Sequence, residues 1–508
     1  MKKPEESKNS FNRNTLIIKS LKKNWRIFLI LLIYIISVSI LICKHEPWFD
    51  EAQIWLLTRD ANLTDLFFKY LHYEGFPGLF YLILMIPAKL KLPYLSLNIT
   101  SAIIAVAGVF VFLRNAPFPN IIKILFPFSY FIFFQYAVVA RNYVLLPILL
   151  FLIAKIYRDK TNKIYLFAVL LCLLANTSVH GFLITISLLL LHLVDLFKDW
   201  SKLNKSLKSK QFRAFLIIVI ILGLTVVQIL PIPNDKVPQR ENNFGCLNFI
   251  KVSFSVLNDF MTENFLLSFV LLFLILLWFK LRGVLLLYLF PNLVLLSLFS
   301  IKVYKGWHQG IPFLLLIFVM WISLEDRMIN NSKRSRIVRN LALFSTAVVL
   351  VIHVYWSLIV SINDFNSPYS ASLEVANYIK SHQLEKRKIY VSSFHSISIL
   401  PYFEDNIFDN HNNGKRPSYF WWSARNNNLI QKKIDGISEE IPINVHSLIE
   451  NQPDLIIIGI KFRWQENIPR LSGYKFAARF EGNLYWKDRI YEKDSFVLFL
   501  RKGISVAK

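Results

Sequence analysis

The stretch RIFLILLIYIISVSILIC, residues 26–43, is almost entirely apolar and is long enough to cross a ~30 Å hydrocarbon core as a helix. A basic and polar segment, residues 1–24, precedes it. The sequence that follows, KHEPWFDEAQIW at residues 44–55, contains no small-residue cleavage site. We therefore expect a retained first transmembrane helix, with residues 1–24 in the cytoplasm and residues 44–75 forming an outer loop.

The composition of the whole chain is also typical of a membrane protein. Of its 508 residues, 55% are hydrophobic and 18% are charged, whereas soluble proteins have roughly 45–50% apolar and about 25% charged residues. The net charge of +25 comes from Lys and Arg in short segments between apolar runs. This is the distribution of the positive-inside rule, so it does not indicate a nucleic-acid partner. The three cysteines predict neither a disulfide framework nor a zinc site.

Eleven further apolar runs predict a polytopic α-helical transmembrane domain over residues 25–362. They lie near 76–92, 94–113, 120–139, 142–156, 163–178, 179–197, 214–233, 264–281, 283–301, 310–324 and 341–362. The basic loops 198–213 and 325–340 should be cytoplasmic. Crossings can be counted forward from the N-terminus or backward from these loops. The two counts disagree by one crossing, and the disagreement lies between Glu74 and Arg141. One of the first two runs is therefore expected to be partial or re-entrant, and the total is 11–13 spans.

Residues 363–508 form a 146-residue tail with a different composition. The segment SLEVANYIKSH is amphipathic, while RKIYVSS, DLIIIGI and SFVLFLR have the character of short strands. This alternation predicts a soluble α/β or α+β domain that follows the last span directly. Because the basic loop 325–340 and one span precede it, we expect this domain on the extracytoplasmic side.

The outer loop carries the first candidate catalytic residues, the adjacent acids Asp50 and Glu51. A partly desolvated carboxylate at a membrane boundary can serve as a general base. The alternative is that both acids mark a helix N-terminus, where negative side chains are favourable. Glu74, in the loop segment HYEGFPG, is either a ligand or a solvated loop residue.

Further polar candidates lie at the predicted ends of later spans. Arg141 is either a cationic site residue or a snorkelling anchor. His180, in the turn NTSVHG, is either a site residue or part of a helix cap. The short loop KVYKGWHQG adds Lys302, Lys305 and His308. The predicted topology places all of these, with Asp50, Glu51 and Glu74, on one membrane face, as a functional site there would require.

Four segments in order carry a resemblance to a known family. They are DEAQIWLLTRD at 50–60, YEGFPGLFYL at 73–82, ARNYVLLPILLF at 140–151 and LLANTSVHGFLI at 173–184. Together they resemble the GT-C glycosyltransferase superfamily, in particular bacterial homologues of protein O-mannosyltransferases and lipid A aminoarabinose transferases. The resemblance covers roughly residues 26–200, and the tail matches no named pattern. Relatives often have His-Pro after the Glu-Gly pair, whereas this chain has Phe76-Pro77-Gly78.

The resemblance implies a GT-C-like fold and a reaction at the outer face of the membrane, in a bacterial inner membrane. A sugar would leave a polyprenyl-phosphate donor and join a glycan, lipid or protein acceptor. Asp50 would be the catalytic base, with Glu51 beside it as the other candidate. Arg141 and Lys305 would hold the donor phosphate. No nucleotide-binding fingerprint occurs, so no nucleotide cofactor is expected.

Glu51 or Glu74 would position the acceptor or a divalent metal, and His180 and His308 are further candidates for these roles. Carboxylate and imidazole suit zinc or manganese, so Glu74 and His308 are the candidate metal ligands. The alternative function is a transporter or flippase of lipid-linked sugars. Transporters place ionisable groups near the middle of the bilayer, often in two related halves, whereas this chain concentrates them at span ends.

Overall fold

The computed structural model describes residues 25–230, 232, 245–301, 304–325, 332–423, 446–461 and 471–504. Seven helices in these ranges are long and apolar enough to cross a membrane: Trp25–Ile42, Ser96–Asn115, Asn120–Val138, Val179–Lys202, Lys205–Ile229, Gly306–Leu324 and Lys333–Asn366. Apolar side chains such as Leu224 and Phe344 stay more than half exposed on them, as lipid-facing residues would. The chain therefore has the architecture of a multi-pass helical membrane protein.

The other apolar helices are shorter or bent. Three run over Leu79–Lys89, Ile164–Ala175 and Leu285–Ile301, and a pair at Cys246–Met261 and Phe265–Leu281 bends by 84°. If that pair is one broken span, the described residues contain eight long candidates. The remaining α-helices are Phe49–Asp60, Leu63–Asp65, Leu145–Ile156, Ser372–Ser381 and His446–Ile449. The sequence-based total of 11–13 spans stays a prediction.

The helix Leu79–Lys89 occupies the region where the predicted crossings disagreed. Its eleven residues extend only about 16 Å. At its start the Leu79 N–H donates to the Asn176 carbonyl, and at its end Lys89 Nζ donates to the carbonyls of Arg59 and Ala61 at 2.8 and 2.6 Å. The helix thus packs along Phe49–Asp60. Which of the runs 76–92 and 94–113 is partial stays a prediction.

The described residues of the C-terminal part form six strands. They are β1 (Ile389–Val391), β2 (Leu455–Ile460), β3 (Tyr474–Phe480), β4 (Asn483–Trp486), β5 (Arg489–Lys493) and β6 (Ser495–Arg501). One sheet has the order β1-β2-β6-β3, with β1 and β2 parallel and the other pairs antiparallel. The apolar segments DLIIIGI and SFVLFLR form its buried central strands, and SLEVANYIKSH forms the helix Ser372–Ser381, as predicted. The domain boundaries themselves stay predictions.

Strands β4 and β5 form a separate antiparallel hairpin, Asn483–Lys493. The C-terminal part contacts the membrane part at the helix Phe49–Asp60, which we call the site helix. The Gln53 side chain donates to the Phe420 carbonyl at 2.7 Å and accepts from the Phe420 N–H at 2.9 Å. Arg59 donates to the Phe403 carbonyl at 2.8 Å. The site helix is therefore enclosed between the two parts.

Candidate active site

The site helix begins directly after the segment HEPW, and its first turn holds Asp50 and Glu51. The Glu51 carboxylate accepts a 3.3 Å hydrogen bond from the Trp48 N–H, which satisfies one of the free donors at the helix start. Acidic side chains in a first turn are also favoured by the helix dipole. Consecutive helix residues point about 100° apart, so the two carboxylates reach different surroundings.

Asp50 faces Arg141. Its Oδ2 lies 2.8 Å from Arg141 Nη2, and the Asp50 side chain is 25% exposed while that of Arg141 is 6% exposed. The guanidinium carbon is 4.9 Å from the ring centre of Trp307 and 5.3 Å from that of Tyr143. These aromatic contacts hold the Arg141 guanidinium in place at the end of the predicted span. They place it beside a carboxylate that water can reach.

Glu51 is fully buried and hydrogen-bonded on both oxygens. Its Oε1 accepts from the Ala140 N–H at 2.7 Å and from the Asn98 amide at 3.3 Å. Its Oε2 lies 3.2 Å from His45 Nε2, whose other ring nitrogen lies 3.1 Å from Asp364. Burial alone lowers the pKa of His45, but the carboxylates of Asp364 and Glu51 raise it to about 10. His45 is thus a cation between two acids.

The sequence analysis did not identify this buried network. His45 stands six residues before Glu51 in the quoted loop, and that proximity was the available signal. Asp364 lies in the last turn of the helix Lys333–Asn366, and an acid within an apolar span is a general indication of a functional or paired group. His45 and Asp364 are 319 positions apart in the chain, so their contact forms only in the folded structure.

Glu74 lies near Asp50 and contacts the site helix through Gln53. Gln53 donates a 2.8 Å hydrogen bond to Glu74 Oε1. Burial raises the pKa of Glu74 to about 8, with the Asp50 charge adding to the rise and the Gln53 hydrogen bond opposing it. Glu74 is therefore mostly protonated at neutral pH, so it can donate a hydrogen bond to a polar ligand.

The two candidate histidines contact each other and a tyrosine. The ring centres of His180 and His308 are 4.7 Å apart, and Tyr143 lies 5.9 Å from the first and 6.3 Å from the second. His308 Nδ1 accepts a hydrogen bond from the Lys305 N–H at 3.2 Å. These rings continue the chain of contacts from Asp50 through Arg141 to Tyr143. Lys302 lies outside the described residues.

A metal ion at this site would need several ligands from neighbouring side chains. Among the described residues, no group of three or more His, Cys, Asp or Glu side chains is arranged to hold a metal. The proposed Glu74–His308 metal pair stays a prediction, and we derive no step through a metal.

A cleft that opens to solvent lies between Arg141 and the C-terminal hairpin. The membrane part supplies Trp48, Arg141 and Trp307, and the hairpin supplies Trp486, Tyr491 and Glu492. The sequence analysis did not identify these hairpin residues. The sequence of strands β4 and β5 contains no motif that would have predicted their approach to Arg141.

No protein-family model, no curated protein and no solved structure matches the chain. The resemblance to GT-C glycosyltransferases therefore depends on the four quoted segments alone. Asp50 and Glu51 begin the first of those segments. Glu74, Arg141 and His180 lie in the second, third and last segments, respectively.

Proposed function

We propose that the protein is an integral-membrane, GT-C-like glycosyltransferase that moves a sugar from a polyprenyl-phosphate donor to an acceptor at the outer membrane face. The observation that carries this proposal is the 2.8 Å pair of Asp50 and Arg141 beside a cleft that opens to solvent. A carboxylate and a guanidinium at one point supply the two functions that the reaction needs, a base and a phosphate-binding cation. The acceptor is a glycan, lipid or protein of a bacterial cell envelope.

In the proposed reaction Asp50 accepts the proton of the acceptor hydroxyl. The acceptor oxygen forms a bond to the anomeric carbon as the bond from that carbon to the phosphate oxygen breaks. The polyprenyl phosphate leaves with the electron pair, and Arg141 holds its phosphate group before and after the bond breaks. Arg141 Nη2 pairs with Asp50 Oδ2. Its Nε has no hydrogen-bond partner among the described residues, so the guanidinium can contact both groups.

The proposed topology has eleven crossings. The helix Leu79–Lys89 stays on the outer side, because both of its ends contact segments near the site. Counting from the first helix then places Arg141 and the C-terminal part outside, in agreement with the count from the basic loops. Eleven crossings require helices as short as Leu145–Ile156 to span the membrane. The topology is therefore part of the proposal.

The position of the charged groups favours an enzyme over a transporter. Asp50 lies in the first turn of the site helix, Arg141 follows a span and Asp364 lies in a last turn. A transporter would concentrate such groups on broken helices near the middle of the bilayer. Here they lie at helix ends that contact the C-terminal part.

The test compares envelope glycans by mass spectrometry in cells with and without the gene. We expect one glycan mass to disappear on deletion and to return with the wild-type gene. Asp50→Asn should not restore it, because general base catalysis contributes about 10²–10⁴-fold. The control is Asp65→Asn in the same outer loop. Full restoration by Asp50→Asn, with equal protein in the membrane, would contradict the proposed base and favour the transporter.

A further inference from the structure

The cleft beside Arg141 is surrounded by hydrogen-bond donors without partners. Trp48 Nε1, Arg141 Nε and Trp486 Nε1 are buried, and none of them has a partner among the residues that the structure describes. Their residues are only 4–6% exposed, and all three line the cleft. Buried N–H groups are paired in the great majority of cases. Three unpaired donors around one cleft indicate a ligand that carries several acceptor oxygens.

The walls of the cleft are flat and apolar between these donors. Trp307 lies 5.9 Å from Trp48 and 6.3 Å from Tyr491, and Tyr491 lies 6.2 Å from Trp486, measured between ring centres. Aromatic faces offer a large apolar contact, while indole N–H and phenol O–H groups bond polar substituents. A sugar ring has the matching surface, with C–H groups on its faces and hydroxyl oxygens around its edge.

The charged side chains that line the cleft are each paired with an opposite charge. Arg141 pairs with Asp50, and Glu492 lies 3.5 Å from Lys461. The lining therefore carries no excess charge for an acidic or basic sugar. A sugar ring with hydroxyl groups but no charge of its own fits this balance, and the phosphate charge of the donor is left to the Arg141 guanidinium.

The hairpin is firmly fixed over the cleft. Its turn residue Lys487 is buried, and Nζ donates at 2.6 Å to both the Asp259 carbonyl and Glu263. Lys487 has a φ of 56°, a left-handed conformation that non-glycine residues rarely adopt. Gly306 allows Trp486 to approach, since a Cβ there would lie 3.0 Å from the indole ring. These contacts place Trp486 beside the membrane part.

We propose that this cleft binds the sugar ring of the donor, an uncharged hydroxyl-bearing pyranose, and that the hairpin residues Trp486 and Tyr491 form one wall of the subsite. The inference rests on the proposed function. The donor phosphate lies beside Arg141 Nε, sugar hydroxyl oxygens accept from the two indole N–H groups, and the ring stacks against the aromatic wall. The C-terminal part thereby takes part in donor recognition.

The test titrates the purified full-length protein in detergent and follows the fluorescence of the cleft tryptophans. The probes are farnesyl phosphate and its glucosyl, mannosyl, galactosyl, N-acetylglucosaminyl and galacturonosyl phosphodiesters. At least one uncharged sugar should tighten binding about tenfold over farnesyl phosphate, the factor that one good hydrogen bond confers. The charged galacturonosyl probe should bind no more tightly than farnesyl phosphate.

Two variants test the wall of the subsite. Trp486→Phe keeps a ring but removes the N–H, and Tyr491→Ala removes a stacking face. Each should remove most of the tenfold gain and leave the affinity for farnesyl phosphate unchanged. The matched control is Phe476→Ala, an aromatic that is 61% exposed on strand β3. All three variants should keep the wild-type melting temperature within a few degrees.

The outcomes separate this inference from the proposed function. If farnesyl phosphate binds but no sugar increases its affinity, the subsite is wrong while the phosphate site stands. If farnesyl phosphate does not bind, but methyl glycosides quench the fluorescence and Trp486→Phe abolishes the effect, the subsite stands and the lipid donor is wrong. An equal loss in Phe476→Ala and Tyr491→Ala would also overturn the subsite.

Discussion

The carboxylate of Glu51 accepts a 2.7 Å hydrogen bond from the Ala140 N–H, and the next residue along the chain, Arg141, pairs with Asp50. The adjacent acids therefore both contact the segment Ala140-Arg141. Glu51 binds its backbone, and Asp50 binds the Arg141 guanidinium. Glu51 is fully buried, whereas Asp50 remains partly exposed. This division favours Asp50 as the group that contacts substrate and Glu51 as the group that positions Arg141.

Replacing Glu51 should destabilise the protein as well as inactivate it. Glu51→Gln removes one of the two negative charges that flank the buried His45 cation and weakens the bonds to Ala140 and Asn98. Breaking a buried ion pair by removing one partner costs about 3 kcal/mol or more. We expect a lower melting temperature for the purified variant, together with loss of transfer.

The matched control for this variant is Glu46→Gln, five residues earlier. Burial and the nearby Glu374 carboxylate raise the pKa of Glu46 to about 8, so its side chain is mostly neutral at pH 7. The amide should replace it with little loss of stability. A melting temperature for Glu51→Gln equal to that of the wild type would show that Glu51 is not the structural acid of the pair.

Glu74 should make stability depend on pH in a defined direction. Its pKa of about 8 lies above the ordinary value of 4.5, so the folded protein binds a proton that the unfolded chain releases. The resulting stabilisation is complete below about pH 4.5 and is lost as the pH rises through 8. Glu74→Gln mimics the neutral form and keeps an oxygen for Gln53. It should match the wild type at pH 5 and melt at a higher temperature at pH 9.

The same variant tests the predicted metal pair. If Glu74 and His308 bind zinc or manganese, Glu74→Gln should lose activity that added metal stimulates and a chelator removes. If Glu74 acts only as a neutral hydrogen-bonding group, activity should persist and ignore the chelator. A smaller fall in melting temperature between pH 5 and pH 9 in Glu74→Gln than in the wild type, with a wild-type response to metal, would separate the two roles.

Local patterns in the sequence predicted the apolar helices and three strands of the tail, because each depends on residues near one another in the chain. They also predicted a set of site candidates, and the structure connects Asp50 to Arg141 directly and to His180 and His308 through Tyr143. Apolar length alone did not separate the short helix Leu79–Lys89 from the longer candidate spans, and its end contacts appear only in the folded structure.

The remaining features depend on contacts between distant residues. Asp364 meets His45 only where the last long helix packs against the segment that follows the first helix. The hairpin reaches the cleft because Lys487 inserts beside Glu263, more than 200 positions away. Pairing over such distances leaves no periodic signal in either segment, so a single sequence could not predict the aromatic wall.

The proposed topology can be tested by cysteine labelling in intact cells. With Cys43, Cys172 and Cys246 replaced by serine, single cysteines are introduced at Lys91, Asn120 or Lys415, which are exposed positions. A membrane-impermeant maleimide should label Lys91→Cys, after the short helix, and Lys415→Cys, in the C-terminal part. Asn120→Cys should react only after the cells are opened, because Ser96–Asn115 crosses the membrane before it.

Each position in this experiment decides a separate point. Protection of Lys91→Cys with labelling of Asn120→Cys would show that Leu79–Lys89 crosses the membrane. Protection of Lys415→Cys would place the C-terminal part in the cytoplasm and contradict the proposed outer site.

Arg141 should govern use of the donor more than the chemistry at saturation. Arg141→Ala removes a charge-assisted contact to phosphate, which is worth about 1.5–3 kcal/mol, or roughly a 10–150-fold rise in the donor KM. Arg141→Lys keeps the charge but loses the planar guanidinium that packs against Trp307 and Tyr143, so its effect should be intermediate. The measurement is the transfer rate over a range of lipid-phosphate sugar concentrations.

The control for Arg141 is Arg489→Ala, which removes a positive charge from the hairpin at a side chain that is 61% exposed. Its donor KM should stay near the wild-type value, because an exposed charge contributes little to binding at a buried site. A rate that returns toward normal at high donor concentration in Arg141→Ala supports a role in donor binding. If kcat falls while the donor KM stays unchanged, Arg141 instead stabilises only the transition state, and the donor phosphate must be held by other cations, with Lys305 the first to examine.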